Sequence, residues 1–116
     1  MNRSTLRVAI AVLTIATAVI HFYLNFNTGS FEFQPMFTLN GLGYLGLLGA
    51  LLLNLPFLAG RERLLHYGFM GYTAVTILAW IILGDKTYVL GYIAKADEIL
   101  LILALWQHLR LTEKAA

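Results

Sequence analysis

Residues 90–109 read LGYIAKADEILLILALWQHL, and this stretch decides how the whole chain is to be understood. Only the eleven residues Ile99–Leu109 separate Glu98 from Arg110, whereas a helix that crosses a bilayer needs about 20. A spanning helix in this region must therefore begin near Tyr88–Tyr92 and carry Lys95, Asp97 and Glu98 inside it. An isolated charge at such depth costs at least about 2.5–3.5 kcal/mol on insertion scales, so these groups are neutral, paired or functional.

Upstream, charged residues are absent from Val8 to Phe31, from Phe33 to Gly60 and from Leu64 to Gly84, and each gap is long enough to span. The composition agrees, with 59% hydrophobic residues, 12% charged and a mean hydropathy of +0.75, against about 45–50% apolar and about 25% charged in soluble domains. These features predict an all-α integral membrane protein, a four-transmembrane-helix antiparallel bundle forming one domain over residues 1–116. The spans fall at about 6–26, 37–58, 65–83 and 90–110. The polar stretch 27–36 with Gly29, Ser30 and Pro35, the turn Arg61-Glu62-Arg63 and the break Gly84-Asp85-Lys86 join them, and connections this short make neighbours antiparallel. Arg3 and Arg7 ahead of Ala16-Thr17-Ala18 also fit a cleaved signal peptide, although the apolar run continues past that point.

Arg3, Arg7, Arg61, Arg63, Arg110 and Lys114 fall on one side of the predicted spans, against Lys86 and Lys95 on the other. That bias places both termini in the cytoplasm and the chain in an inner or plasma membrane. Tyr23, Phe31, Phe33, Trp80, Tyr88 and Tyr92 then sit near the outer interface and Trp106 near the inner one. With a net charge of +2 and no dense basic cluster, nothing points to nucleic acid.

On a wheel of about 100° per residue the polar groups align. Arg7, Thr14, Thr17, His21 and Asn25 share one stripe, and Asn40, Tyr44, Leu47, Leu51 and Asn54 another. His66, Thr73, Thr76 and Trp80 form the third, and Tyr88, Lys95, Glu98, Ile102 and Leu109 the fourth. Lipid offers no hydrogen bonds, so these stripes are expected to face one another. The threonines are expected to bond across helices or to their own backbone, and Gly43, Gly46 and Ala50 to form a small-residue strip for close helix packing.

Antiparallel order brings His21, Asn25, Asn40, Lys95, Asp97 and Glu98 to the outer half of the bundle, where they form a polar cluster that is a binding candidate. Lys95 and Glu98, at i,i+3, can pair; Asp97 points about 100° away, and His21 is the natural partner for it. The alternative is an ion-pair knot that only fixes the fourth helix, or a partly spanning helix whose carboxylates stay wet.

Zero cysteines exclude disulfides, thiol catalysis and Cys-ligated centres. No HxxxH or ExxH pair offers a metal site on one helix. His66 and His108 lie at matching depth and could in principle hold a haem between them, and Tyr44 and Trp80, with His21 and Asn40, could wall a quinone pocket. Ser4 and Ser30, the two serines, lie outside the predicted spans, so nucleophilic hydrolysis is poorly supported. In length and span count the chain resembles the small multidrug resistance transporters, but its first helix has no carboxylate where that family keeps a glutamate, so no site residue is carried over.

The function expected is a non-enzymatic accessory subunit or small-ligand binder of a membrane complex, recognising other membrane subunits or itself through helix faces within the lipid bilayer. A proton- or cation-coupled transporter working as a homo-oligomer is the alternative, and a haem- or quinone-binding redox protein the third.

Overall fold

The computed structural model describes residues 2–27, 34–53, 60–83 and 89–115, with the backbone alone described at 24–27, 34–37, 83 and 115. All the described elements are helices: α1 (Arg3–Asn27), α2 (Gln34–Leu52), α3 (Glu62–Leu83) and α4 (Val89–Ala115). Two of them, over Arg3–Tyr23 in α1 and Glu62–Ile82 in α3, are long and apolar enough to cross a membrane, and Thr38–Leu52 in α2 is a shorter apolar helix. The last helix begins at Val89, where the shortness of the Ile99–Leu109 run requires it to begin.

Local chemistry explains several ends. Asn2 caps α1, its side-chain oxygen accepting from the Thr5 amide at 2.8 Å, which satisfies one of the free amides of the first turn. Gly60, at φ +77°, supplies the left-handed residue just before α3, a conformation that costs glycine no Cβ clash. The predicted second span extends to 58, but α2 ends at Leu52, and residues 54–58 lie outside the described residues. There the Arg7 guanidinium donates to the Leu52 carbonyl at 3.1 Å, placing a cation on the negative end of the helix and tying the start of α1 to the end of α2.

Contacts fix the order. His21 meets Asn40 and Arg7 meets Leu52, so α1 and α2 are antiparallel. His66 meets His108 and Trp80 meets Tyr92, so α3 and α4 are as well. Thr17 reaches Glu98 across α1 and α4, and Tyr72 reaches the Asn40 backbone across α3 and α2. Ile10, Tyr44, Phe69, Leu101 and Leu105 are fully buried at the centre.

Small residues allow close approach, though not all where the strip predicts. A Cβ on Gly43 would strike the end of the Tyr72 ring, one on Gly41 would lie 2.8 Å from Phe22, and one on Gly91 2.8 Å from the Trp80 indole nitrogen. Gly46 is different: nothing lies within 4 Å of its Cβ position. The expectation that Gly46 packs against another helix of this chain is therefore corrected. Three residues of helix rotate the direction back by about 60° from Gly43, enough to carry Gly46 out of the contact, while Ala50 is half-buried.

Candidate functional site

The helical stripes turn inward. Thr14, Thr17 and His21 of α1, Tyr44 of α2, His66 and Thr73 of α3, and Lys95, Glu98 and His108 of α4 are all buried. Two polar centres result, at opposite ends of one interior.

The first is built on Glu98, whose exposure is 0%. One turn earlier on the same face, Lys95 sends its Nζ to both carboxylate oxygens at 2.7 and 2.9 Å. From α1 the Thr17 hydroxyl donates to Glu98 Oε1 at 3.2 Å, and its oxygen lies 3.4 Å from His21 Nδ1. His21 donates Nδ1–H to the Thr17 carbonyl at 2.7 Å. That bond leaves Nε2 as an acceptor, which the Asn40 amide fills at 2.9 Å. Asn40 in turn presents its side-chain oxygen to the Thr76 hydroxyl at 3.3 Å, and its backbone oxygen accepts from the Tyr72 hydroxyl at 2.8 Å. Four helices thus contribute to one continuous network, in which a neutral histidine fits every contact.

Aromatic rings floor this network. Tyr44 lies 5.9 Å from the His21 ring, 6.4 Å from Phe69 and 4.9 Å edge-on to Tyr72, centroid to centroid. Its hydroxyl and that of Thr14 are buried, and neither makes a hydrogen bond of good geometry among the described residues. Trp80 does not join Tyr44 in a common wall: it lies edge-on to Tyr92 at 5.1 Å and over Gly91.

Of the six residues in the predicted cluster, the structure brings together His21, Asn40, Lys95 and Glu98. The side chain of Asn25 lies outside the described ones, as do those of Asn54 and Tyr88. The expected pairing of Asp97 with His21 is not seen among the described residues, where Asp97 Oδ2 has no hydrogen-bond partner. Asp97 sits about 100° round the helix from Glu98, and both His21 nitrogens are engaged by Thr17 and Asn40. Thr17 is the residue that sequence reasoning undervalued. It shares the stripe of His21, and its place there was the available signal.

The second centre joins α3 and α4. His66 donates Nδ1–H to the Glu62 carbonyl at 2.6 Å, and its Nε2 accepts from His108 Nδ1 at 2.8 Å. The rings lie 5.0 Å apart and 16° from parallel. This geometry does not fit a haem held between them, because two axial metal–nitrogen bonds of about 2.0–2.1 Å in line hold the nitrogens about 4 Å apart. Among the described residues no group of three or more His, Asp or Glu side chains is arranged to hold a metal ion.

No family model, no curated protein and no solved structure matches the chain.

Proposed function

We propose that the chain is a multi-pass protein of an inner or plasma membrane, crossing it four times with both termini in the cytoplasm. It serves as a non-enzymatic accessory subunit or small-ligand binder. The observation that carries this reading is the inverted distribution of its side chains. Glu98, Lys95, His21 and His66 are buried, while Val8, Val12 and Val19 of α1, Leu39 and Leu42 of α2, and Val75 and Ile82 of α3 are each more than half exposed. Water rewards the opposite arrangement; lipid rewards this one.

The same distribution explains how α4 crosses a bilayer although it carries charges. Its Lys95 and Glu98 face inward as a pair, and Val89, Ile93, Leu100 and Leu103 cover its outer side. Helix faces of this kind are also what another membrane subunit would bind.

Single cysteines replacing Gly29 and Glu62 test the crossing: an impermeant thiol reagent is expected to reach them from opposite sides, and labelling of both from one side overturns it. Purification in mild detergent tests the role, with foreign membrane subunits expected to accompany the chain. A homo-oligomer without them favours the second reading, a proton- or cation-coupled transporter. That reading draws on the Glu98–Lys95 pair, in which the carboxylate is fully buried, since a carboxylate inside a membrane protein is a frequent element of ion pathways.

A further inference from the structure

At the end of α3 and α4 remote from Glu98, an open groove of about 270 Å³ lies between the first turns of one helix and the last turns of the other. Arg63, Tyr67, Trp106, Arg110, Glu113 and Lys114 line it. Three cations stand against one carboxylate, so the groove favours an anion. Arg63 holds its guanidinium carbon 5.7 Å from the centre of the Tyr67 ring, a cation–π contact that restrains the side chain at the edge of the groove.

The surroundings point to what carries the anion. Tyr67 and Trp106 are 43% and 45% exposed, the half-covered state of aromatic side chains at a membrane interface. One turn further along α3 is Gly71, exposed and with nothing within 4 Å of its Cβ position. Beyond it Val75 is exposed, and on α4 Leu103 stands one turn before Trp106, also exposed. A cationic groove therefore opens onto an apolar surface with a notch at Gly71.

Resting on the membrane reading above, we propose that this groove holds the headgroup phosphate of an anionic glycerophospholipid, with one acyl chain along the Gly71 notch. Arg63, Arg110 and Lys114 surround the phosphate, and Trp106 and Tyr67 flank the glycerol. Glu113 leaves a surplus of two positive charges, which suits one anionic headgroup and disfavours a zwitterionic one. Basic pockets beside cytoplasmic helix ends recognise lipid headgroups by this chemistry.

The test uses the full chain in mild non-ionic detergent, with its thermal unfolding followed as phosphatidylglycerol, phosphatidylcholine or glycerol 3-phosphate is added. Phosphatidylglycerol is expected to raise the midpoint by several degrees, and the other two to leave it nearly unchanged. The double variant Arg63→Gln/Arg110→Gln is expected to abolish the shift. Gly71→Leu, which alters no charge and has room for its side chain, is expected to halve it or more. Phosphatidylglycerol retained through purification, counted by native mass spectrometry, is expected to fall in the same variants. An equal response to phosphatidylcholine, an equal response to glycerol 3-phosphate, or a full shift in the double variant overturns the lipid site. Alkaline carbonate extraction separates the two levels of failure: release of the wild-type chain from membranes overturns the membrane reading itself, whereas retention together with any of those three results overturns the site alone.

Discussion

At the Glu98 end the interior holds a formal ion pair, Lys95 on Glu98 at 2.7 Å; at the other end it holds two imidazoles joined at 2.8 Å. The ten residues from Glu98 to His108 set them about 15 Å apart along α4. Both are buried, yet they satisfy their polar atoms differently. The histidine pair needs no charge, because one ring accepts where the other donates and the chain ends on the Glu62 carbonyl. The Glu98 centre is charged, and each of its members depends on the next. The contrast teaches that a neutral pair is a local fastener, whereas an ion pair wired through Thr17 and His21 to Asn40 makes four helices answer to one carboxylate.

The sharpest way to break that contrast is Glu98→Ala, which strands the Lys95 ammonium. Loss of one partner from a buried pair costs about 3–5 kcal/mol, to be read from unfolding in detergent. Adding Lys95→Met is expected to recover much of it. Wild-type stability in both variants would mean that the pair is wet.

His108→Phe probes the other centre. It leaves His66 Nε2 unsatisfied, a loss of about 1–3 kcal/mol, smaller because no formal charge is exposed to the interior. A loss as large as that of Glu98→Ala would erase the distinction between the two centres.

The glycines of α2 sharpen the comparison without touching a charge. Gly43→Ala pushes on the Tyr72 ring and endangers its bond to the Asn40 backbone, which offsets the helix propensity gained, while Gly46→Ala enters open space. The two variants are expected to differ by about 1 kcal/mol in favour of Gly46→Ala. Equal melting of the two would detach Tyr72 from the Glu98 centre.

The smallest effect is expected from Thr14→Val. Its hydroxyl is buried without a partner among the described residues, so an apolar residue of the same shape is neutral or stabilising by up to about 1 kcal/mol. A clear loss of stability would show that Thr14 has a polar partner in the working protein.

Much of this was legible in the sequence because helical periodicity and depth are local properties. The alignment of Thr17 with His21, the i,i+3 spacing of Lys95 and Glu98, and the early start of α4 follow from counting residues. Contacts between helices depend on axial register, which the stripes alone do not supply. Yet His66 and His108 are equidistant from Thr87, and Trp80 and Tyr92 nearly so. Reflection about an antiparallel turn would have placed the two histidines together. Gly46 was misread because a 60° error in facing separates a helix contact from open surface. Asp97 was misassigned because His21 could be seen as a base in the sequence, but not as one already held by the Thr17 carbonyl.

Between the two centres Ile10, Phe69, Leu101 and Leu105 leave no exposed surface, an insulating layer across which a transmembrane voltage would fall. Moving a full elementary charge through the whole potential is worth about 2.3 kcal/mol per 100 mV. The Lys95–Glu98 pair, however, offers the field only a dipole, with opposite charges 2.7 Å apart in a core about 30 Å thick. Even with that dipole fully aligned, the coupling is about 0.2 kcal/mol per 100 mV. In a chain that spans the membrane as proposed, carrying the carboxylate and the cation together would leave Glu98 nearly blind to membrane voltage. Neutralising either partner alone would give the site a net charge and make its stability depend on the electrical polarity of the membrane around it.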